Sequence, residues 1–493
     1  MRKITLSLLL FTGLNGWLPL KTTAQEILTL EKALEIAYKN SPTLRKSKIT
    51  LEQSEANLIQ RHAGLKAQFS MSLSPFSFRR SSSYDDFNST WYTSRSMSSG
   101  GDFSITQPIK WTDGTLTLRE SFSWQDASNQ SSGGSNTSFS NSLTLSLSQP
   151  IFTYNRTKIE LKQLEFQLEL AKLNYAMAQL NLEKNVTQAF YDLYRSYKQL
   201  ATSKESYQSQ KETYELTKAK VENGIMNKGE LFQAEINLAN DKTKLYQDEI
   251  NYESTKDNFK QLLGLPLDID IAVLANVQAD SIHVNLQDAI KYALTQRTEI
   301  RQYEIDIEEG LFNLISAKAT NEFKGSISAT VGLTGNESNL KETFKNQQNS
   351  QNVSVSLSVP IYDWGVRKAA IKRAELSNEN TAIGFEEQKK TIVIQMRQLC
   401  RSLPISYRQI HIAKQSLKNA EITYEINYEK YLNGNMSSMD FKQYQKQLSD
   451  AKDAVTEAII SYKMDLLNLK IQTLWDFETN QSCLPVDLLN NKN

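Results

Sequence analysis

The chain has 493 residues, enough for about three domains of ordinary size, yet it carries only 18 glycines and 9 prolines, which favours long uninterrupted elements. Its 56 basic and 55 acidic residues leave a net charge of +1, which excludes a strongly basic nucleic-acid surface as the organising feature. Two cysteines, Cys400 and Cys483, exclude a disulfide framework, and three scattered histidines, His62, His283 and His411, speak against a histidine metal centre.

Arg2 and Lys3 precede an apolar stretch, Ile4 to Phe11, which weakens toward Leu20 before the small residues Thr22, Thr23 and Ala24. That order predicts a secretory signal peptide over 1–24, cleaved before Gln25. The alternative, an N-terminal anchor, falls short of the ~20 apolar residues a spanning helix needs, because Gly13, Asn15 and Gly16 interrupt the run. No cysteine near the cleavage site offers a lipid anchor, and no run of 18 apolar residues follows. The expected product is an exported chain without a transmembrane helix, whether secreted, periplasmic or an outer-membrane β-barrel.

The chain then repeats itself. Leu30-Glu-Lys-Ala-Leu-Glu-Ile-Ala matches Leu286-Gln-Asp-Ala-Ile-Lys-Tyr-Ala at an offset of 256, and Arg45 falls on Arg301. Leu147-Ser-Gln-Pro-Ile-Phe152 matches Leu357-Ser-Val-Pro-Ile-Tyr362 at an offset of 210, which still holds at Asn223-Gly224 against Asn433-Gly434. The difference, 256 − 210 = 46 residues, places the one large length change between the halves in the Ser-rich stretch between Ala67 and Pro150.

In that stretch Phe69, Met71 and Leu73 alternate with serines, as do Leu143, Leu145 and Leu147 with Thr144, Ser146 and Ser148. The second half repeats the pattern at Ile327 and at Val353, Val355 and Leu357. Period two with one apolar and one small polar face is the strand pattern of a barrel wall between lipid and water. Four strands per chain are predicted, and four cannot close a barrel whose smallest known form takes eight; oligomerisation follows. Within 79–137, Asp102 to Lys110 and Thr115 to Trp124 also look strand-like, so the extra 46 residues read either as an elaborated surface loop or as additional pairing, and Trp91, Trp111 and Trp124 there fit an interfacial girdle or ordinary packing.

Each strand segment leads into a long helix. Val186, Leu193, Leu200, Tyr207, Tyr214 and Val221 stand seven apart, and the offset of 210 maps them onto Met396, Leu403, Ile410, Leu417, Tyr424 and Tyr431. The return helices carry Leu231, Leu238, Leu245, Tyr252 and Phe259, matched by Phe441, Leu448, Val455, Tyr462 and Leu469. A sustained seven-residue repeat predicts coiled-coil packing, and Pro404 predicts a kink. In chain order the expected organisation is signal peptide 1–24, opening helices 25–67, a first barrel segment with a long extracellular insertion 68–149, a helical hairpin 150–263, and a connector 264–283. The second repeat follows with opening helices 284–323, a barrel segment 324–359, a helical hairpin 360–475 and a tail 476–493. The fold class is mainly α with a β-barrel portion. No P-loop, GxSxG, HExxH or CxxC motif occurs, so no enzyme, catalytic residue, cofactor or metal is expected; the sequence does not decide whether Cys400 and Cys483 pair, and buried free thiols are the reading preferred over a disulfide.

With its duplicated plan, the Ser41-Pro42-x-Leu44-Arg45 continuation, the Gln149-Pro150-Ile151-Phe152 and Val359-Pro360-Ile361-Tyr362 junctions and the turns at Gly224 and Gly434, the chain resembles the TolC-like outer-membrane efflux proteins. The resemblance covers essentially the whole mature chain. It implies a homotrimer whose twelve strands form one barrel in the lipid of the Gram-negative outer membrane, above a long periplasmic helical tunnel belted by the connector, the short helices near Leu30 and Leu286, and the tail after Trp475.

By the same resemblance, the tips Asn223, Gly224, Ile225 and Met226 and Asn433, Gly434, Asn435 and Met436 close the tunnel and meet a periplasmic adaptor; the plain alternative is that they are only helix caps. Asp440 corresponds to an acidic aperture position, Glu230 is its counterpart, Tyr431 helps hold the closed state, and Gln443 stands where some members have a second acid. Ordinary solvated coiled-coil faces are the plain alternative. The implied function is a passive exit duct of a tripartite efflux system, fed with small molecules by an inner-membrane transporter through the adaptor. Alternatives are the outlet of a type I protein-secretion system and a non-channel periplasmic coiled-coil tether; no nucleic-acid partner is expected.

Overall fold

A computed structural model of the chain describes residues 26–87, 89–129, 134–275 and 280–483. The expected signal peptide, part of the connector and the end of the tail lie outside the described residues. In chain order come β1 (Glu26–Leu28), α1 (Leu30–Asn40), α2 (Pro42–Gly64), β2 (Gln68–Asp85), β3 (Thr90–Ile109), β4 (Gly114–Asn129), β5 (Gly134–Ile151), α3 (Arg156–Glu222) and α4 (Lys228–Leu263). The second half holds β6 (Ile271–Val273), α5 (Leu286–Gln296), α6 (Thr298–Lys318), β7 (Lys324–Glu337), α7 (Leu340–Lys345), β8 (Gln348–Ser358), α8 (Val366–Leu432) and α9 (Ser438–Thr473). Two short strands, β9 (Trp475–Asp476) and β10 (Gln481–Ser482), close the described chain.

The duplication governs the element boundaries to the residue. Helices α3 and α8 begin 366 − 156 = 210 and end 432 − 222 = 210 residues apart, and α4 and α9 keep the same offset at both ends (438 − 228, 473 − 263). The openings α1 and α5 keep 286 − 30 = 256. The 67 residues of α3 span about 100 Å at the ordinary helical rise. Helix α8 runs unbroken across Pro404.

The residues divide into two compact units. The first comprises the described residues of 1–42, 182–281 and 403–467. There β1 pairs in parallel with β6, and Leu28, Ala33 and Ala37 are buried. Lysines near the end of α4 hold the connector: Lys256 meets Asp270 at 3.1 Å, and Lys260 donates to the Leu267 carbonyl at 2.8 Å. Of the seven-residue series, Leu193, Leu200, Leu403, Ile410 and Phe259 are buried, whereas Tyr207, Tyr214 and Val221 are half-buried.

The second unit comprises the described residues of 43–181, 282–402 and 468–493. Its core sets Phe166 on Phe312, and Arg301 of α6 takes Glu169 of α3 with both oxygens, at 2.6 and 3.0 Å. Trp475 stacks on Tyr292 at 4.2 Å. Cys400 and Cys483 form no disulfide among the described residues and are half-buried rather than buried; burial raises the Cys400 thiol above its ordinary value.

The same unit holds a six-stranded antiparallel sheet among the described residues, in the order β2-β3-β4-β5-β7-β8. This corrects the expectation of four strands per chain, and with it the count of twelve for three copies. Most of residues 79–137 are strand: they extend β2 and build β3, β4 and the start of β5, so the insertion is paired sheet rather than a loop. Glycines and serines in 94–104 hid the alternation that betrays the other strands. The pairing proves the placement: Phe69 lies opposite Ile105, Ile105 opposite Leu118, Leu118 opposite Leu145 and Leu145 opposite Val331, one apolar row across five strands. The opposite face is polar, with Ser70 against Ser104 at 2.7 Å, Ser146 against Thr330 at 3.1 Å, and Arg119 bridging to Asp102 at 2.7 Å.

The turn between β3 and β4 also starts a long helix. Asp113 accepts from the backbone N–H of Arg156 and Thr157 and from the Thr157 hydroxyl, while Asn155 accepts from the Lys158 N–H at 2.7 Å. Three of the four donors that a helix start leaves unpaired are thereby met. At the start of α8 the corresponding task falls to Asp363, three residues before Val366, which accepts from Gly365 and Arg367. Burial raises the Asp113 carboxyl, but the Thr157 and backbone hydrogen bonds outweigh it and hold the group below its ordinary value. A carboxylate held low stabilises above its unfolded value, about pH 4, and loses that contribution as pH falls through the folded one. Asp113→Ala should therefore cost about 1–2 kcal/mol at neutral pH and less near pH 3, measurable as a Tm difference that narrows on acidification.

Candidate functional site

The tips of the helical hairpins lie in the first unit and gather most of the singled-out residues. Helix α3 ends at Glu222 and α8 at Leu432. Gly224 (φ 72°) and Gly434 (φ 78°) then take the left-handed conformation, closed by Ile225 N–H onto the Lys220 carbonyl at 2.8 Å and Asn435 N–H onto the Lys430 carbonyl at 2.9 Å. Glycine is needed for its backbone alone, since a Cβ at either position would meet nothing. Asn223, Gly224, Ile225, Asn433, Gly434 and Asn435 are exposed and Met226 and Met436 half-exposed. Ile225 at 66% and Met439 at 71% leave apolar side chains at the ends.

The return helices start on side-chain caps. Asn227 accepts from the Glu230 N–H at 3.1 Å. Ser437 and Asp440 form a reciprocal box: the Asp440 N–H donates to the Ser437 hydroxyl at 3.1 Å, and that hydroxyl donates to the Asp440 carboxylate at 2.8 Å. Asp440 is thus exposed and engaged with its own helix start, with Gln443 exposed one turn on. Glu230, its counterpart in the first half, does something different. Its carboxylate accepts from the Ser438 N–H at 3.1 Å and the Ser438 hydroxyl at 2.7 Å, tying the first hairpin's return helix to the start of α9.

Tyr431 is fully buried. Its hydroxyl meets the Thr217 hydroxyl at 2.5 Å, and its ring stacks on Phe441 with centroids 4.8 Å apart. Burial raises the phenol above its ordinary value, so the group is a neutral hydrogen-bonding partner. The residue that sequence reasoning missed is Lys220. From the last turn of α3 its ammonium donates to the carbonyls of Tyr431 at 2.8 Å and Leu432 at 2.9 Å, and stands 5.2 Å from the Tyr431 ring centroid. It satisfies two orphan carbonyls at the negative end of α8, and burial lowers its ammonium below the ordinary value. A signal was present: Thr213, Thr217 and Lys220 recur at helical spacing along one polar stripe. The identical stripe position in the second half, Lys430, is exposed.

Above the tips the hairpins are laced by polar contacts. Lys442 pairs with Asp241, Gln445 donates to Ser209 at 3.0 Å, Lys452 meets Glu205 at 2.7 Å, and Arg195 meets Glu457 at 2.8 Å. Exposed polar contacts of this kind each contribute little, about 0–1 kcal/mol. The site contains no nucleophile paired with a base. What it offers is an end at which two hairpins are fastened by a few charged and hydroxyl hydrogen bonds around the buried Tyr431 and Phe441 rings.

A family model described as outer membrane efflux protein matches residues 115–265 and 289–470. Among curated proteins, the chain is 23% identical to nodulation protein T of Rhizobium leguminosarum bv. viciae, over 69% of this chain and 70% of that protein. It is 20% identical to the probable outer membrane lipoprotein SilC of Salmonella typhimurium, over 58% of this chain and 62% of that protein. The chain thus spans about two thirds of the length of these relatives. Among solved structures, the Campylobacter jejuni CmeC outer membrane channel superposes with a TM-score of 0.67 at 18% identity, over 94% of this chain and 88% of that one.

Proposed function

Because the chain belongs to the outer membrane efflux protein family, we propose that it is the outer-membrane exit duct of a tripartite efflux system. Three copies form one passive channel, the six-stranded sheets crossing the outer membrane and the long helices reaching into the periplasm. An inner-membrane transporter loads small molecules, and a periplasmic adaptor docks on the tips at Ile225, Met226, Asn435 and Met436. The observation that carries the reading is the fastened tip: Lys220 and Thr217 on Tyr431, and Glu230 on Ser438, join two hairpins by hydrogen bonds that an adaptor can replace. Asp440 and Gln443 lie beside it, where three copies place Asp440 in a ring favouring cations. Energy comes from the partner transporter.

Deleting the gene in its host should raise the accumulation of a fluorescent efflux substrate several-fold, and the wild-type chain should restore the low level from the outer-membrane fraction. Unchanged accumulation together with loss of an exported protein from the medium would replace this reading by the protein-secretion outlet. A chain recovered in the soluble fraction without detergent would replace it by the tether.

A further inference from the structure

We propose that β8 of one copy pairs with β2 of the next, so that three copies close a barrel of eighteen strands. The number of copies rests on the trimeric duct proposed above; the pairing rests on the sheet itself. Strands β2 and β8 are the two edges, and β8 is exposed along its whole length. Edge amides left open in lipid cost several kcal/mol each, and six strands are fewer than the eight of the smallest closed wall. A second copy of the same sheet supplies the missing partner. With six antiparallel strands, β2 and β8 run in opposite directions, so joining them continues the alternation without a parallel step.

The register follows from the stagger of the sheet. Straight across the strands, Gln68 leads through Thr106, Thr117, Ser146 and Thr330 to Asn352. That is 358 − 352 = 6 residues short of the end of β8 at Ser358. Setting Gln68 against Ser358 brings the two strand ends level. It places Phe69 opposite Leu357, Met71 opposite Val355 and Leu73 opposite Val353, all exposed apolar side chains, with serine opposite serine between them. The seven pairs from Gln68 to Ser74 finish where β2 is irregular, between Ser74 and Ser77. A slip of one residue would turn every apolar side chain to the polar face. A stagger of six residues per six strands, at about 3.3 Å per residue and about 4.8 Å per strand, corresponds to a tilt of about 35°, the range in which barrels close.

The hairpin β3–β4 belongs to this wall and is no flap. Phe103, Ile105, Leu116, Leu118 and Phe122 continue the lipid-facing row, which Glu120 interrupts between Phe103 and Leu143 and Asp126 ends beside Met97; Arg119 and Asp102 face the polar side, and the turn is anchored to α3 through Asp113 and by Asn155, which donates to the Lys110 and Trp111 carbonyls. Since barrel diameter grows roughly in proportion to strand number, the lumen is about 1.5-fold wider, with about twice the cross-section, than twelve strands would give. The outlet through the membrane then imposes a looser size limit on cargo than a twelve-stranded wall.

Electron microscopy of the detergent-extracted full chain tests the count: eighteen strands in a threefold ring are expected. A threefold ring of twelve strands, with β3–β4 outside the wall, overturns this inference and leaves the duct standing; a particle with no ring overturns both. The register is tested in a Cys400→Ser, Cys483→Ser background. Oxidation should link copies carrying Ser70→Cys with Ser356→Cys into a ladder ending at the trimer, at least several-fold more than Ser72→Cys with Ser356→Cys. The reverse preference overturns the register.

Discussion

Replacing Lys220 by methionine should loosen the helical tips and raise the conductance of the purified channel in planar bilayers several-fold. Methionine keeps the buried stem but withdraws the ammonium that donates to the Tyr431 and Leu432 carbonyls at 2.8 and 2.9 Å. Hydrogen bonds from a charged donor contribute about 1.5–3 kcal/mol, and the two carbonyls are left at a helix end where little else can reach them. The expected cost is about 2–3 kcal/mol, concentrated at the tip, so conductance should respond more than Tm. Glu230→Gln removes charge from the contact with the Ser438 amide and hydroxyl, and since Glu230 also acts electrostatically on Tyr431, which Lys220 holds, the two substitutions should couple rather than add. A Lys220→Met channel as tightly closed as wild type would remove Lys220 from the fastening.

Arg301→Ala should produce the largest loss of stability outside the tips. Arg301 holds Glu169 with two hydrogen bonds and Glu304 with a third at 3.0 Å, and it is 24% exposed. The pair stands between an exposed bridge, worth about 0–1 kcal/mol, and a buried one, whose breakage costs about 3–5 kcal/mol. We expect about 2 kcal/mol, read as a lowered midpoint in thermal or denaturant unfolding. The Glu169 hydrogen bonds and nearby carboxylates hold the guanidinium charged at every accessible pH, so acid weakens this contact only by protonating the carboxylates. Arg45→Ala, the same position in the first repeat, is exposed and should change the midpoint little; an equal loss at both positions would contradict the assignment.

That contrast shows where legibility ended. The match of Arg45 to Arg301 is visible in the sequence, yet among the described residues only Arg301 is seen with partners, and the main one, Glu169, lies 132 residues away along the chain. The tips divide in the same way. The glycine turns could be read because a left-handed glycine acts within four or five residues of the helix end it closes. Asp440 could be placed on the first turn of its helix, but its engagement with Ser437, and the different role of Glu230, depend on side-chain geometry. Lys220 passed unnoticed because a lysine in a last helical turn looks like any other, and its acceptors stand 211 and 212 residues further on.

By itself the sequence determined the duplication, the lengths of the long helices and their offsets of 210 and 256, since helix breakers and hydrophobic periods are local signals repeated twice. It also located the length change of 46 residues between the halves. Only the tertiary structure decided what those residues are. Parts of that hairpin, Asp102 to Lys110 and Thr115 to Trp124, look strand-like, but glycines and serines blur the rest, and only the neighbours on both sides that supply its hydrogen bonds decide that it is sheet rather than loop. The turn of that hairpin then caps α3 through Asp113, 43 residues before the helix starts. Such a contact costs chain entropy that local pattern cannot reveal and that the assembled sheet has already met.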